Sequence, residues 1–339
     1  MSGTFAEYQA INAVNISTLI HILESPKAYA HALASPSSDS PALAQGRALH
    51  CLVLEPGEFD RRYVVSPYAD LRSDAAKAWP EYFRQAIFEP ARFRALVAVS
   101  PFDDFRTKEA RAWRDATTSG GASIMRPDEY QMVVGEASRY SAASLDPDFE
   151  VFSLAQVARL RLAAEEVLQH PQVQRLLSGG AAEETWTWTD PETGIECKGR
   201  TDYVGSMGLI DLKTTRSIQP RRFASQVASL GYLVKMAWYQ WGLEIATGCT
   251  PPPVYLIAVQ LDPYVDVACY QLSDLDLMRA RETVRGMLRT LAACRKSGRW
   301  PGLMEDRIAA LDLPEYAVPE VVESWDESVA DVEEEVESL

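Results

Sequence analysis

The chain contains no cysteine pair at CxxC spacing, because Cys51, Cys197, Cys249, Cys269 and Cys294 are scattered. That excludes the usual clustered-thiolate zinc sites and iron–sulfur clusters, and leaves thiols expected to be reduced and structural. Histidine is scarce as well, with His21, His31, His50 and His170 the only four, so chemistry that needs an imidazole has few candidates. No apolar run is long enough to cross a bilayer, and the opening MSGTFAEYQA has neither a basic segment nor a leader-like apolar core. A cytoplasmic location with no membrane partner is the expectation. No internal repeat is present.

Positive charge is also in short supply. The net charge of −15 argues on its face against a nucleic-acid partner, which normally requires clustered Lys and Arg. The excess is uneven, however. From Glu315 to Leu339 there are ten acidic residues and no basic one, which leaves −5 for residues 1–314. The body is therefore only mildly acidic, and its 47% hydrophobic content is ordinary for a globular chain with a substantial core.

Three parts are expected along the chain: a mainly helical part over 1–180, a sheet-and-helix core over 181–305, and an acidic, flexible tail over 306–339. Within the first, NISTLIHILESPKAYAHAL (15–33) predicts a helix interrupted at Ser25–Pro26. ASPSSDSP (34–41) predicts a polar connection. LAQGRALHCLVLEPGEF predicts an apolar helix carrying His50 and ending at Pro56–Gly57; a lone His in such a setting is either a satisfied core residue or a ligand. Between 58 and 140 the pattern is mixed and mostly helical, with Trp79, Tyr82, Phe83, Phe93 and Trp113 as packing residues. The charged stretch at 103–115 reads as a solvated helix entrance. Helices are expected over 127–145 and over 151–177, with Ser178–Gly179–Gly180 closing the helical part.

From residue 184 the periodicity changes to two. ETWTWTD and IECKGRTDYVG predict strands joined through DPETG, and the second places Glu196, Lys198, Arg200 and Asp202 on one face. Such a polar row either faces solvent or lines a cleft. LIDLKTT (209–215) follows as a short strand with Asp211 and Lys213 on the same side. A carboxylate two residues from an ammonium can hold a hard cation while the ammonium orients a water or steadies charge on a phosphate; the alternative is a surface ion pair. A helix from about Arg222 to Ala246 with Tyr232, Met236, Tyr239 and Leu243 on one side comes next. Two strands and a helix from Ser273 to about Lys296 complete the order. The expected class is α/β, a mixed central sheet with helices packed against it.

Taken in order, SPKAY, GRALH, FRTKEARAW, GRTDYV, LIDLKTT, the tyrosine-bearing helix and SGRWPG resemble the PD-(D/E)xK nuclease superfamily, and more narrowly its phage-type RecE or exonuclease VIII-like, RecB-like members. The similarity spans most of residues 12–305. It implies His50, Asp202 and Asp211 as ligands of Mg²⁺ or Mn²⁺, together with a backbone carbonyl beside the second aspartate, and Lys213 as the catalytic lysine. Glu184 is a candidate for a further catalytic carboxylate, with its neighbour Glu183 equally eligible. Where the family commonly carries a glutamine, four residues before the helix tyrosine Tyr239, this chain has Lys235, which is suited to a phosphate contact. Arg216, Arg221 and Arg222 are candidates for holding the DNA backbone, with solvated surface as the alternative.

The resemblance further implies a metal-dependent exonuclease acting on linear duplex ends in the 5′ to 3′ direction. It would work in phage-type recombination with a single-strand annealing protein, as a ring-shaped trimer or tetramer. Two other readings stay open on sequence: a structure-specific or defence endonuclease of the same superfamily, and a catalytically inactive protein binding DNA ends or a partner.

Overall fold

The structure is a computed structural model that describes residues 5–35, 40–68, 71–101, 107–119, 123–305 and 308–312. The expected acidic tail, apart from 308–312, lies outside the described residues, as do 36–39 of the polar connection and 103–106 of the charged stretch.

The chain opens with α1 (Phe5–Ala10) and α2 (Ile16–Leu19), the latter capped by Asn15 Oδ1 accepting from the Thr18 N–H at 3.0 Å. A 3-10 turn leads to α3 (Pro26–Ala34), where Ser25 caps and Pro26 occupies the first turn, so the interruption falls where the sequence predicts it. Then follow α4 (Pro41–Leu54), α5 (Phe59–Arg62), β1 (Tyr63–Ser66), α6 (Asp74–Phe88), α7 (Pro90–Leu96) and β2 (Val97–Val99). Next are α8 (Lys108–Ser119), β3 (Ser123–Met125), α9 (Pro127–Ala137) and β4 (Glu150–Ser153). The expected helix over 127–145 thus stops at Ala137.

The expected helix over 151–177 is three elements. Its first residues belong to β4, which pairs in parallel with β1. Ser153 and Gln156 then form a capping box that starts α10 (Leu154–Gln169), and α11 (Pro171–Leu176) is separate. Pro171 cannot donate to the helical ladder and disfavours helical geometry at His170, which sits extended at ψ 122°.

The core sheet consists of β5 (Ala181–Thr189), β6 (Glu196–Gly205), β7 (Gly208–Thr215), β8 (Val254–Gln260) and β9 (Asp266–Gln271), adjacent in that order. The pairs are antiparallel except β7 with β8, which run parallel. The parallel pair needs a crossover, supplied by α12 (Pro220–Ser229) and α13 (Tyr232–Thr247); α14 (Asp274–Ser297) closes the domain. The single helix expected from Arg222 to Ala246 is divided because Gly231 adopts φ +65°, and a Cβ there would lie 2.4 Å from Ile20 Cδ1. The left-handed backbone conformation is what demands glycine at this corner.

Helices cover both faces of the sheet. Ile210 and Leu212 of β7 join Ala48, Leu49 and Leu52 of α4 and Leu160 and Ala164 of α10 in one core, while Leu209, Leu256 and Ala258 pack beneath Phe223, Met236 and Ala237 of α12 and α13. A third cluster binds Ile16 and Leu19 of α2 to Trp188, Trp238 and Leu288. Sequence-distant motifs meet here: Trp300 stacks on Tyr29 with centroids 5.7 Å apart, and the Pro301 carbonyl accepts from the Lys27 N–H at 3.1 Å. Trp79, Phe83 and Phe93 are buried in a fourth cluster, as expected of packing residues.

Candidate active site

The site begins with a gap in the sheet. The β6–β7 ladder holds from Gly205 and Gly208 only as far as Tyr203 opposite Ile210, after which the strands part. The Leu212 N–H, deprived of a strand partner, donates instead to Asp202 Oδ2 at 2.9 Å. A backbone donor buried in a sheet must find an acceptor, and here the acceptor is a carboxylate, which is thereby fixed in the gap.

One face of the gap receives α4. Gly46 lies over Thr214, whose Oγ1 would be 3.4 Å from a Cβ at position 46, and one turn later His50 reaches the strand. Its Nδ1 is 3.3 Å from Asp202 Oδ2 and its Nε2 is 2.5 Å from the Leu212 carbonyl oxygen. The GRALH motif therefore reads physically: small at 46 so that the helix can approach, imidazole at 50 to enter the gap. Gly46→Val should push α4 away from β7 and weaken divalent-metal binding about tenfold or more while the circular-dichroism spectrum persists; isothermal titration with Mn²⁺ checks it.

Glu183 comes from β5. It adopts φ +54°, in the left-handed region a non-glycine residue rarely visits, and the β5–β6 register pairs Ala182 and Glu184 but passes over Glu183 and Asp202. His50, Glu183 and Asp202 offer ligand atoms all within 4.8 Å of one another. Glu184, the residue named from sequence, does not join this group and instead sits opposite Thr201. Strand alternation alone pointed equally to either glutamate; the local kink at Glu183 is what breaks the alternation.

Asp211 and Lys213 lie on the strand beyond. Asp211 is 3% exposed, and its Oδ2 lies 2.5 Å from Lys213 Nζ. Lys213 Nζ also donates to the Leu212 carbonyl at 3.3 Å and stands 4.0 Å from Asp202 Oδ2. Burial and the nearby Asp202 charge raise the Asp211 carboxyl above the ordinary range. Burial works against the Lys213 charge, yet Asp211 and Asp202 together hold the ammonium above the usual lysine range. Glu183 is pushed up to about 7, first by burial and then by Asp202, although Arg200 Nε donates to its Oε2 at 2.7 Å and opposes the shift.

The opposite face is closed by α13. Tyr232 lies under both ammonium groups, 5.3 Å from Lys213 Nζ and 5.7 Å from Lys235 Nζ. Lys235 has its pKa lowered by burial and by Lys213. Tyr239 packs where a Cβ on Gly199 would lie 2.9 Å from its ring, and burial, then Tyr8 and the carboxylates of Asp211, Asp202 and Glu183, push its phenol above the usual range. Arg216, Arg221 and Arg222 are exposed on the segment leaving β7 and on the first turn of α12, where Gln219 to Arg222 line an open groove.

The donor set suits a divalent cation. A neutral imidazole has one N–H, yet both nitrogens of His50 face oxygen atoms, so one contact remains unsatisfied unless a proton or cation is shared. Two carboxylates and a carbonyl beside that imidazole form the mixed N and O set that Mg²⁺ or Mn²⁺ accepts. Among the described residues, no helix is long and apolar enough to cross a membrane.

Comparison with known proteins bears on the fold. Residues 141–308 match a family model described as a PDDEXK-like domain of unknown function. A crystal structure of a protein from Eubacterium rectale, described as a candidate exonuclease, is 13% identical, with a TM-score of 0.52 over 93% of this chain and 97% of its own. The crystal structure of SSO0001 aligns with 65% of this chain and 86% of its own at 14% identity and a TM-score of 0.24. No curated protein matches the chain. Residues 141–308, which carry the mixed five-stranded sheet with helices on both faces, thus form a domain of the PD-(D/E)xK type.

Proposed function

We propose that the protein is a metal-dependent exodeoxyribonuclease that hydrolyses phosphodiester bonds at the ends of linear double-stranded DNA. The observation that carries this reading is the position of Asp202, whose Oδ2 is shared between His50, the Leu212 N–H and Lys213. An acceptor held by a backbone donor cannot swing away, so the ligand atoms are set before substrate arrives, as electrostatic catalysis requires.

On this reading His50, Glu183 and Asp202, with the Leu212 carbonyl, would hold Mg²⁺ or Mn²⁺, and Asp211, which the resemblance implies as a third ligand, is engaged by Lys213 and gives its place to Glu183. A bound divalent cation supplies positive charge that polarises the scissile phosphate and acidifies water. Lys213 orients the attacking water and steadies negative charge developing on the phosphate. Asp211 keeps that lysine charged and aimed across the gap. Lys235 adds a second ammonium for the phosphate backbone, and Tyr239 walls the site from solvent. Arg216, Arg221 and Arg222 track the DNA backbone without reading sequence, which suits an enzyme that degrades strands of any composition.

The finer reading follows the RecE-like resemblance: 5′ to 3′ degradation in phage-type recombination, with the product strand passed to an annealing protein by a ring-shaped trimer or tetramer. Purified protein with Mg²⁺ should shorten linear duplex and leave a covalently closed circle intact, and EDTA should stop the reaction. Duplexes labelled separately at each end give the direction. Cutting of the closed circle would replace the exonuclease reading with an endonuclease one.

A further inference from the structure

The edge of β6 that β7 abandons is not empty along its whole length. Val14 bridges Cys197 in parallel, with the Val14 N–H donating to the Glu196 carbonyl at 2.9 Å and the Lys198 N–H donating to the Val14 carbonyl at 2.8 Å. The gap in the sheet is thus a slot, closed at one end by Tyr203 and Ile210 and at the other by the N-terminal segment. The polar row expected on β6 is not a solvent face at this end. Lys198 is 5% exposed, and its ammonium donates to the carbonyls of Tyr8 at 2.9 Å, Gln9 at 3.2 Å and Ile11 at 2.7 Å. Those carbonyls belong to the last turn of α1 and the residue following it, so a buried cation fastens this short helix to the strand that carries Asp202.

The fastening has a second component. Lys198 Nζ sits 4.7 Å from the centroid of the Tyr8 ring, and the Tyr8 ring stacks on Phe5 with centroids 6.1 Å apart and planes 30° off parallel. Ammonium, Tyr8 and Phe5 make a column that starts in the sheet and ends at a phenylalanine 54% exposed to solvent. Lys198 lies on β6 two residues from Arg200, the partner of Glu183, and next to the Val14–Cys197 bridge, so the column stands at the end of the slot that the N-terminal segment closes. A large aromatic ring left in water at a helix start, stacked on a tyrosine that a buried lysine holds, has no evident role in the core. Beside a phosphodiester-cleaving site it has the shape and rigidity to take a nucleobase.

We propose that Phe5, backed by Tyr8 and Lys198, is a stacking platform for the base of the terminal nucleotide on the strand being cut. The inference rests on the nuclease reading above. Stacking of this kind tolerates any base, because each has a π-face, and it sets where the strand end stops beside the site. Phe5 is a positioning residue, acting on substrate placement and not on the reacting atoms.

The test uses the full chain with Mg²⁺ and two linear duplexes that differ only in whether the terminal nucleotide at the attacked end carries a base or is abasic. The wild type should show a KM about tenfold lower for the base-bearing end. Phe5→Ala should raise that KM to the abasic value with kcat unchanged, and Phe5→Trp should restore the preference. Equal KM values for the two ends in the wild type, an unchanged KM in Phe5→Ala, or an equal rise on both substrates would overturn the platform while the nuclease reading stands. Failure of the wild type to cut either duplex overturns the nuclease reading, and the platform with it.

Discussion

Replacing Asp202 by Asn should lower hydrolysis of linear duplex by about 10³-fold, with little change in the unfolding midpoint. The side chain keeps its size and can still accept from the Leu212 N–H through its amide oxygen. What it loses is the charge that faces His50 Nδ1 and Lys213. Removing one preorganised electrostatic group from a catalytic site typically costs on the order of 10²- to 10³-fold, and Asp202 is placed to serve both metal and lysine. Mn²⁺ titration separates the two contributions: affinity should fall together with rate. A variant that retains both would show that the convergence on Asp202 is structural only.

Glu183 and Glu184 give the second large contrast. Glu183→Gln should reduce activity at least tenfold and Glu184→Gln should leave it within about twofold, because only Glu183 meets His50 and Asp202. The pH behaviour of the metal-free protein provides an independent reading. The Glu183 carboxyl is raised from 4.5 to about 7, so between those values the folded chain holds a proton that the unfolded chain has released. Stability from this group is therefore present below about pH 4.5 and is lost as pH rises through about 7. Thermal melts without metal should show this loss in the wild type and a flatter profile in Glu183→Gln. Added Mn²⁺ should stabilise the wild type increasingly from pH 6 to 8, since the ligand must shed its proton to bind. A metal-induced shift independent of pH would contradict the assignment of Glu183.

Much of this arrangement is legible in the sequence because it is local. The triplet from Asp211 to Lys213 is fixed by strand alternation, and Gly46 and His50 by one helical turn; both need only a period to be read. Glu183 is different. Its involvement depends on a left-handed residue inside a strand and on the parting of β6 from β7, and neither leaves a mark in composition. The break at Gly231 has a visible glycine, but its packing against Ile20, more than two hundred residues away, is not written in the local pattern. Likewise Lys198 reads as one member of a polar row until the carbonyls of α1 are found around it. Short-range pattern gives the ligands on regular elements; long-range contact decides which neighbour of a pair is used and what covers an exposed-looking face.

Lys213, held charged by Asp211 at the parting of β6 and β7, is the group proposed to serve phosphodiester hydrolysis. The most direct measurement of that role is digestion of end-labelled linear duplex with Mg²⁺ by the wild type and by Lys213→Ala, each checked for an unchanged melting profile. The expected result is degradation by the wild type and a loss of about 10³-fold or more in the variant. Equal digestion by both proteins would contradict it.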